Sequence, residues 1–283
     1  MDRILIEQLR LSAIIGVYPW ERRIRQPLLA DIELHADVAG AALDDAIDAA
    51  LNYASVADCL RTVVEASRFQ LLESLAEHAA RVLLDSFSSD GLRLTLTKPH
   101  AIGRARGAAV AIERRRAETL RRVWLSLGSN IERESSLRAA LRALRERFGG
   151  LLVSSVYHSE AVGFDGEPFY NLVVGVDTDV SLAELAGWAR QLEAANGRVR
   201  SGNKFDARTL DVDVLTWGYA VGDFDGITMP RDEILRYAFV LGPLAEVAPR
   251  ERHPLTGETY AALWAGFDQA SQPMRRIDFD PLA

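Results

Sequence analysis

The chain has 283 residues, 48% hydrophobic and 26% charged, with a formal net charge of −7. This is an ordinary globular composition with apolar material for about two domains; no apolar run approaches the ~20 residues of a membrane span, and the charged start "MDRILIEQLR" has no secretory apolar core, so neither a membrane anchor nor a targeting segment is expected. The single cysteine, Cys59, excludes an intrachain disulfide and a cysteine metal cluster, and fits a reducing cytoplasm.

In chain order, residues 3–11 and 27–38 read as strands. "SVADCLRTVVEASRF" and "LLESLAEHAARVLLDSF" carry apolar residues at helical spacing, and "LRLTLTK" (92–98) and "GAAVAIER" (107–114) alternate as a strand pair. The predicted order is strand, strand, helix, helix, strand, strand. The Arg-rich "ERRRAETLRR" (113–122) has no apolar stripe. It reads as a helix end and linker rather than an RNA-binding arm, which places a domain boundary at 118–122, between domains spanning 1–117 and 123–283.

Beyond the boundary, "VWLSL" (123–127) predicts a strand and "SSLRAALRALRERF" a helix. "LLVSSVYHS" (151–159) and "FYNLVVGVDT" (169–178) predict two more strands. "SLAELAGWARQLEAANG" predicts a helix opened by a serine cap. "RTLDVDVLTWG" (208–218) closes as a strand and "EILRYAFVLGPLAEVA" (233–248) as one helix. Both halves are of the α+β class.

Charge is distributed unevenly. Residues 1–122 hold 17 basic and 17 acidic side chains, so the whole net charge lies in the second half. Arg190, Arg198, Arg200, Lys204 and Arg208 nevertheless cluster there. A basic cluster in an acidic half points to a local anionic ligand rather than a nucleic-acid surface. Immediately downstream, Asp211 and Asp213 share one face of a strand, because residues i and i+2 do so. Leu210, Val212 and Val214 point the other way. Two adjacent carboxylates repel unless a cation lies between them; on the residues alone the pair is either a cation site or a solvated strand face. "LGSN" (127–130) ends the preceding strand in small residues that permit close backbone approach, and there is no P-loop motif.

"SLGSN", "FYN", "LEAANGRVRSGNKFDARTLDVDVL" and "YAFVLGPLAEVAP" closely resemble 6-hydroxymethyl-7,8-dihydropterin pyrophosphokinase over 123–283. The resemblance implies a ferredoxin-like sandwich that moves the β,γ-pyrophosphoryl group of ATP to a pterin hydroxymethyl oxygen, releasing AMP. It also implies two Mg²⁺ ions on Asp211 and Asp213, and phosphate contacts from Arg198, Arg200 and Arg208, with Arg198 and Arg208 assisting transfer. Glu193 would lie on the nucleotide side, Phe169 and Phe239 would sandwich the pterin, and Asn171 would bond its polar edge. Departures are Phe205 for a common tryptophan, Arg231 for a usual histidine, Tyr237 for an arginine, and "SEAVGF" without the usual prolines.

The first half holds one of only two lysines in the chain, Lys98, before a proline at a strand end. Lysine can give up its proton and arginine cannot, yet Lys204 stands in a loop where arginine would serve, so on residues alone the role of Lys98 is open. "IEQLRLSAIIGVYPWER", "LNYASV", "RFQLLESLAEHAA" and "LTKPHAIGRARGAAVAIER" resemble dihydroneopterin aldolase across 2–117. That implies a tunnelling fold (ββααββ) whose subunits join into a tetramer ring or octamer. The implied reaction cleaves the side chain of dihydroneopterin to 6-hydroxymethyl-7,8-dihydropterin and glycolaldehyde, without a metal or Schiff base. Lys98 would be the general base, Tyr53 a proton relay borrowed from a neighbouring subunit, and Glu21 a holder of the site near the lysine. Glu73 and Leu72 would bind the pterin. Read without the resemblance, Glu73 is a helix-dipole partner and Tyr53 a residue of the core. An epimerase of dihydroneopterin or its triphosphate, or a non-catalytic oligomerisation scaffold, are the rival readings of this half. Pterins and ATP are the expected partners, without nucleic acid or membrane.

Overall fold

Period-two alternation builds the first sheet. A computed structural model of the chain describes residues 2–45, 50–116, 120–161, 166–197 and 209–282. Strands β1 (Arg3–Ala13) and β2 (Gln26–His35) pair antiparallel, followed by helices α1 (Ala39–Asp44), α2 (Tyr53–Ala66) and α3 (Leu72–Ser86), then strands β3 (Gly91–Pro99) and β4 (Gly107–Arg115). The sheet order is β1-β2-β3-β4, with every neighbour antiparallel. Leu28, Ala30, Ile32 and Leu34 of β2 point to one face, where they meet Val56, Leu60 and Val64 of α2 and Leu75, Ala76, Ala79 and Leu83 of α3. Fully burying each leucine contributes about 1.5–3 kcal/mol. Asn52 caps α2 by accepting from the amides of Ala54 (3.0 Å) and Ser55 (3.2 Å), which makes Tyr53 its first residue.

The strand expected over 27–38 stops at His35, where its partner β1 begins at Arg3. The register of β1 shifts between Ile6 and Leu9. There Gln8 adopts a left-handed φ of 54° and its amide donates to Asp31 Oδ1 at 2.8 Å. Helix α1 was not foreseen.

This first compact unit comprises Met1–Glu118 with Tyr219–Gly222 and Arg252–Glu258. It buries two histidines, His78 at 3% exposure and His253 at 1%. His78 Nε2 donates to the Pro254 carbonyl at 2.7 Å, and His253 Nδ1 accepts from the amides of Leu255 and Thr256 at 3.3 Å. Burial pushes both imidazoles down from 6.5 to about 4. Because the unfolded chain takes up these protons first, their stabilisation is complete above pH 6.5 and is lost as pH falls toward 4. The loss is on the order of 3 kcal/mol per site. The melting temperature should therefore fall steeply over that interval, and His78→Gln should flatten the slope. An equally steep profile in the variant would contradict this account.

The second unit comprises Thr119–Gly218, Asp223–Glu251 and Thr259–Ala283. In chain order its elements are β5 (Arg121–Ser129), α4 (Arg133–Phe148), β6 (Leu152–Val153), β7 (Tyr157–Ser159), β8 (Phe169–Thr178), α5 (Leu182–Ala195) and β9 (Asp211–Trp217). The hairpin β10 (Gly222–Phe224) and β11 (Ile227–Met229) follows, then α6 (Glu233–Arg236), α7 (Ala238–Val247), α8 (Tyr260–Gly266) and β12 (Met274–Arg276). The sheet order is β12-β7-β8-β5-β9, antiparallel throughout, with β6 beside β8. Leu137, Leu141 and Leu144 of α4 and Leu185 and Leu192 of α5 pack with Val123, Leu125, Val174, Val212 and Val214 on one face. On the other face Trp124, Val173 and Leu215 meet Leu241 and Leu244 of α7 and Tyr260 of α8. A register shift opposite Trp124 and Leu125 leaves Leu215 as the extra residue and turns it to the second core.

Three sequence expectations need correction. Arg121 and Arg122 lie in β5, paired with Thr178 and Asp177, rather than in the linker; Arg122 binds Asp177 through two bonds of 2.7 Å. The strand expected over 151–159 is broken into β6 and β7, because Ser154 turns its hydroxyl to the Val173 amide. The helix expected over 233–248 divides at Tyr237, whose φ and ψ of −123° and 127° are extended. The hairpin β10–β11, α8 and β12 were not foreseen.

Candidate functional sites

In the first unit, the loop after β1 brings a carboxylate to the end of β3. Gly16 takes a φ of +130°, and a Cβ there would lie 2.2 Å from the Glu21 carboxylate. Glu21 Oε2 accepts from the Tyr18 amide at 2.9 Å, and Oε1 accepts from Lys98 Nζ at 2.5 Å. Lys98 also donates to the Ile15 carbonyl at 3.4 Å, the same oxygen that Gln26 Nε2 binds. The side chains of Lys98 and Glu21 are only 15% and 7% exposed. Lys98 holds the Glu21 carboxyl below its ordinary range, against the opposing effect of burial and with help from the Tyr18 amide. Arg22 fixes the loop by donating to the carbonyls of Gly16 (3.3 Å), Arg68 (2.5 Å) and Phe69 (2.8 Å).

Tyr53 opens α2 and is 64% exposed, while Glu73 and Leu72 lie in the first turn of α3, Glu73 exposed and Leu72 half-buried. Among the described residues neither Tyr53 nor Glu73 bonds to the Lys98–Glu21 pair. The structure therefore joins Glu21 and Lys98 and leaves Tyr53 and Glu73 facing outward. Sequence reading missed Gly16, Arg22 and Gln26; the signal for Gly16 and Arg22 was their place in the motif that contains Glu21, and Gln26 lies beyond it. Gly16→Ala combines a strained φ with a collision against the carboxylate, so turnover that depends on the Glu21 position should fall by about tenfold or more, measured as glycolaldehyde release for the reaction that the resemblance implies. Unchanged turnover would show that the Glu21 position is unimportant.

In the second unit, β5 runs between β8 and β9, and Gly128 is the meeting point. Gly128 is opposite Asn171 on one side and Asp211 on the other. A Cβ on Gly128 would lie 2.9 Å from Asn171 Oδ1, 3.7 Å from Phe169 Cδ1 and 4.0 Å from Asp211 Cβ. The small residue thus lets three of the expected site residues converge. Asn171 is buried and its Nδ2 donates to Ser159 Oγ at 2.9 Å. Phe239 stacks on Tyr237 with centroids 5.0 Å apart and a 13° interplanar angle. Glu193 is buried, and its Oε1 accepts from the Val212 amide at 3.0 Å, satisfying the outer edge of β9. Arg198, Arg200 and Arg208 lie outside the described residues.

Asp211 and Asp213 share the face of β9 opposite Val212 and Val214. Asp213 is pushed up to about 6 by withdrawal from solvent and by the Asp211 charge, partly offset by Arg231. Its side chain keeps 45% of its surface, so it is desolvated only in part and the like charge of Asp211 is the firmer cause. Among the described residues no cluster of three or more His, Cys, Asp or Glu side chains could bind a metal by itself. Two carboxylates suit a hard divalent cation that takes its other oxygen ligands from phosphate and water. No helix among the described residues is long and apolar enough to cross a membrane.

Residues 4–113 match the family FolB, dihydroneopterin aldolase, and residues 124–249 match the family HPPK, 7,8-dihydro-6-hydroxymethylpterin-pyrophosphokinase. Dihydroneopterin aldolase of Escherichia coli (strain K12) is 44% identical over 114 residues, covering 40% of this chain and 93% of that protein. Folic acid synthesis protein fol1 of Pneumocystis carinii is 28% identical over 282 residues, covering 92% of this chain; the chain spans 37% of that protein's length. A crystal structure of the E. coli aldolase in complex with neopterin is 44% identical, covers 40% of this chain and 99% of that one, and has a TM-score of 0.40. With the two families matched in order along one polypeptide, the first half belongs to the dihydroneopterin aldolase family, the second half matches the hydroxymethylpterin pyrophosphokinase family, and the chain is a bifunctional enzyme of folate biosynthesis.

Proposed function

We propose that Lys98, held by Glu21, is the general base of the aldolase reaction, and the buried Lys98–Glu21 pair is the observation that carries the assignment. The amine and carboxylate lie 2.5 Å apart beside the Ile15 carbonyl, a setting that fixes the lysine nitrogen for proton transfer. Glu73 takes the amino-pyrimidine edge of the pterin beside Leu72, and Tyr53 relays protons. The outward position of Tyr53 supports its donation to a neighbouring subunit. Further support for assembly comes from the two open sheet edges, β1 and β4, and from the exposed Val17, Tyr18 and Trp20. A homo-oligomeric ring, as a tetramer or stacked octamer, is the proposed state.

In the second domain, proposed to follow 1–117 and to open with β5 at Arg121, Phe169, Asn171 and Phe239 receive the pterin. Glu193 shapes the nucleotide side by fixing the edge of β9. Arg198, Arg200 and Arg208 grip phosphate, with Arg198 and Arg208 promoting transfer. Asp211 and Asp213 hold Mg²⁺, two ions with ATP, whose chemistry is to neutralise charge on the phosphate oxygens. No metal serves the first domain. The lone Cys59, its thiol pushed up to about 11 by burial, fits a reducing cytoplasm. Incubation with dihydroneopterin, ATP and Mg²⁺ tests the whole reading. Glycolaldehyde, AMP and the pyrophosphorylated pterin are expected; an epimer without glycolaldehyde would replace the aldolase assignment.

A further inference from the structure

Arg231 lies in the connection between β11 and α6, and its amide donates to the Leu215 carbonyl at 2.9 Å, which fixes it beside β9. Its Nη2 is shared, 3.3 Å from Asp213 Oδ1 and 3.0 Å from Glu233 Oε1. Two atoms of this group are buried without a partner among the described residues, Arg231 Nε and Glu233 Oε2. They are the two halves of a second bond. An arginine and a carboxylate pair best through two parallel bonds, and here the second bond is unmade because Nη2 is divided between two acids.

We infer that Arg231 is an exchangeable counter-cation of the carboxylate pair: it occupies Asp213 while the site is empty and closes fully onto Glu233 when a divalent cation takes Asp213. The inference rests on the proposed metal role of Asp211 and Asp213. Displacing a bound cation ordinarily opposes metal entry. In this arrangement the guanidinium has a second carboxylate within reach, and the two unpartnered atoms gain each other as partners in the move. An unsatisfied buried donor and acceptor are costly, so the exchange returns part of what the lost Asp213 contact contributed. Glu233 thus acts as a receiver, and Arg231 as a positioning residue for the acid beside it.

Direct binding of Mn²⁺ to the nucleotide-free full chain, followed by the loss of free-ion paramagnetic resonance, tests this without any turnover. Arg231→Gln should bind Mn²⁺ about three- to tenfold tighter than the parent, since nothing then competes for Asp213. Arg231→Lys keeps the charge but lacks the planar fork, cannot close on Glu233 through two bonds, and should bind several-fold more weakly than the parent. Arg231→Gln no tighter than the parent, or Arg231→Lys equal to it, would overturn the exchange. Asp213→Asn should bind Mn²⁺ far more weakly; if it binds as the parent does, the metal assignment itself falls, and this inference with it.

Discussion

Asp213→Asn is expected to reduce AMP formation about a thousandfold while glycolaldehyde release continues at the parent rate. The carboxylate pair stands on one face of β9, with Val212 and Val214 anchoring the opposite face in the core. Replacing one anion by an isosteric amide leaves that packing intact and removes half of the site's charge. The proposed ions contribute several kcal/mol at the transferred group, and about 4 kcal/mol corresponds to three powers of ten in rate. Asp211→Asn should behave in the same way. Both products are measurable in one reaction mixture, so the first activity is an internal control. Near-parental AMP formation at ordinary Mg²⁺ would remove Asp213 from the proposed site.

Lys98→Met should reduce aldolase turnover by about 10²–10⁴-fold, the range that a positioned acid–base group supplies, and should also destabilise the first unit. Glu21 is nearly inaccessible, and without the ammonium its charge is left with the Tyr18 amide. Breaking a buried pair on one side only costs about 3–5 kcal/mol. The double variant Lys98→Met with Glu21→Gln removes the stranded charge. It should regain most of the lost stability and none of the lost activity. Thermal unfolding and glycolaldehyde release, measured on both variants, separate the two effects. Recovery of turnover in the double variant would show that Lys98 acts only through stability. AMP formation supplied with 6-hydroxymethyl-7,8-dihydropterin should be unchanged throughout.

Much of the fold was legible from side-chain periodicity. The strands around Leu28–Leu34 and the helices around Val56–Val64 and Leu75–Leu83 carry their burial pattern in the sequence, because one face of each must leave water. The pairing of Asp211 and Asp213 was likewise set by adjacency, since i and i+2 cannot avoid sharing a strand face. Short elements were not legible. The hairpin β10–β11 and strand β12 have three residues per strand, too few for a period, and β12 also depends on β7, a partner distant in the chain. The division at Tyr237 is of the same kind: the local sequence favours a continuous helix, and the ring instead stacks on Phe239.

The sequence by itself determined which residue types are present, their spacing along each element, and through the motifs the two families they resemble. Only the tertiary structure decided which of them meet. Glu21 and Lys98 are 77 positions apart, and a left-handed Gly16 with room for a carboxylate over it brings them into contact. Gly128 lets Asn171, Phe169 and Asp211 converge because three strands are ordered β8-β5-β9, an order that no local pattern encodes. Arg231 came to Asp213 by the same route, through a backbone bond to Leu215. Local periodicity reports which face is buried; which faces share a site depends on long-range pairing, whose free energy is realised only when the whole sheet closes.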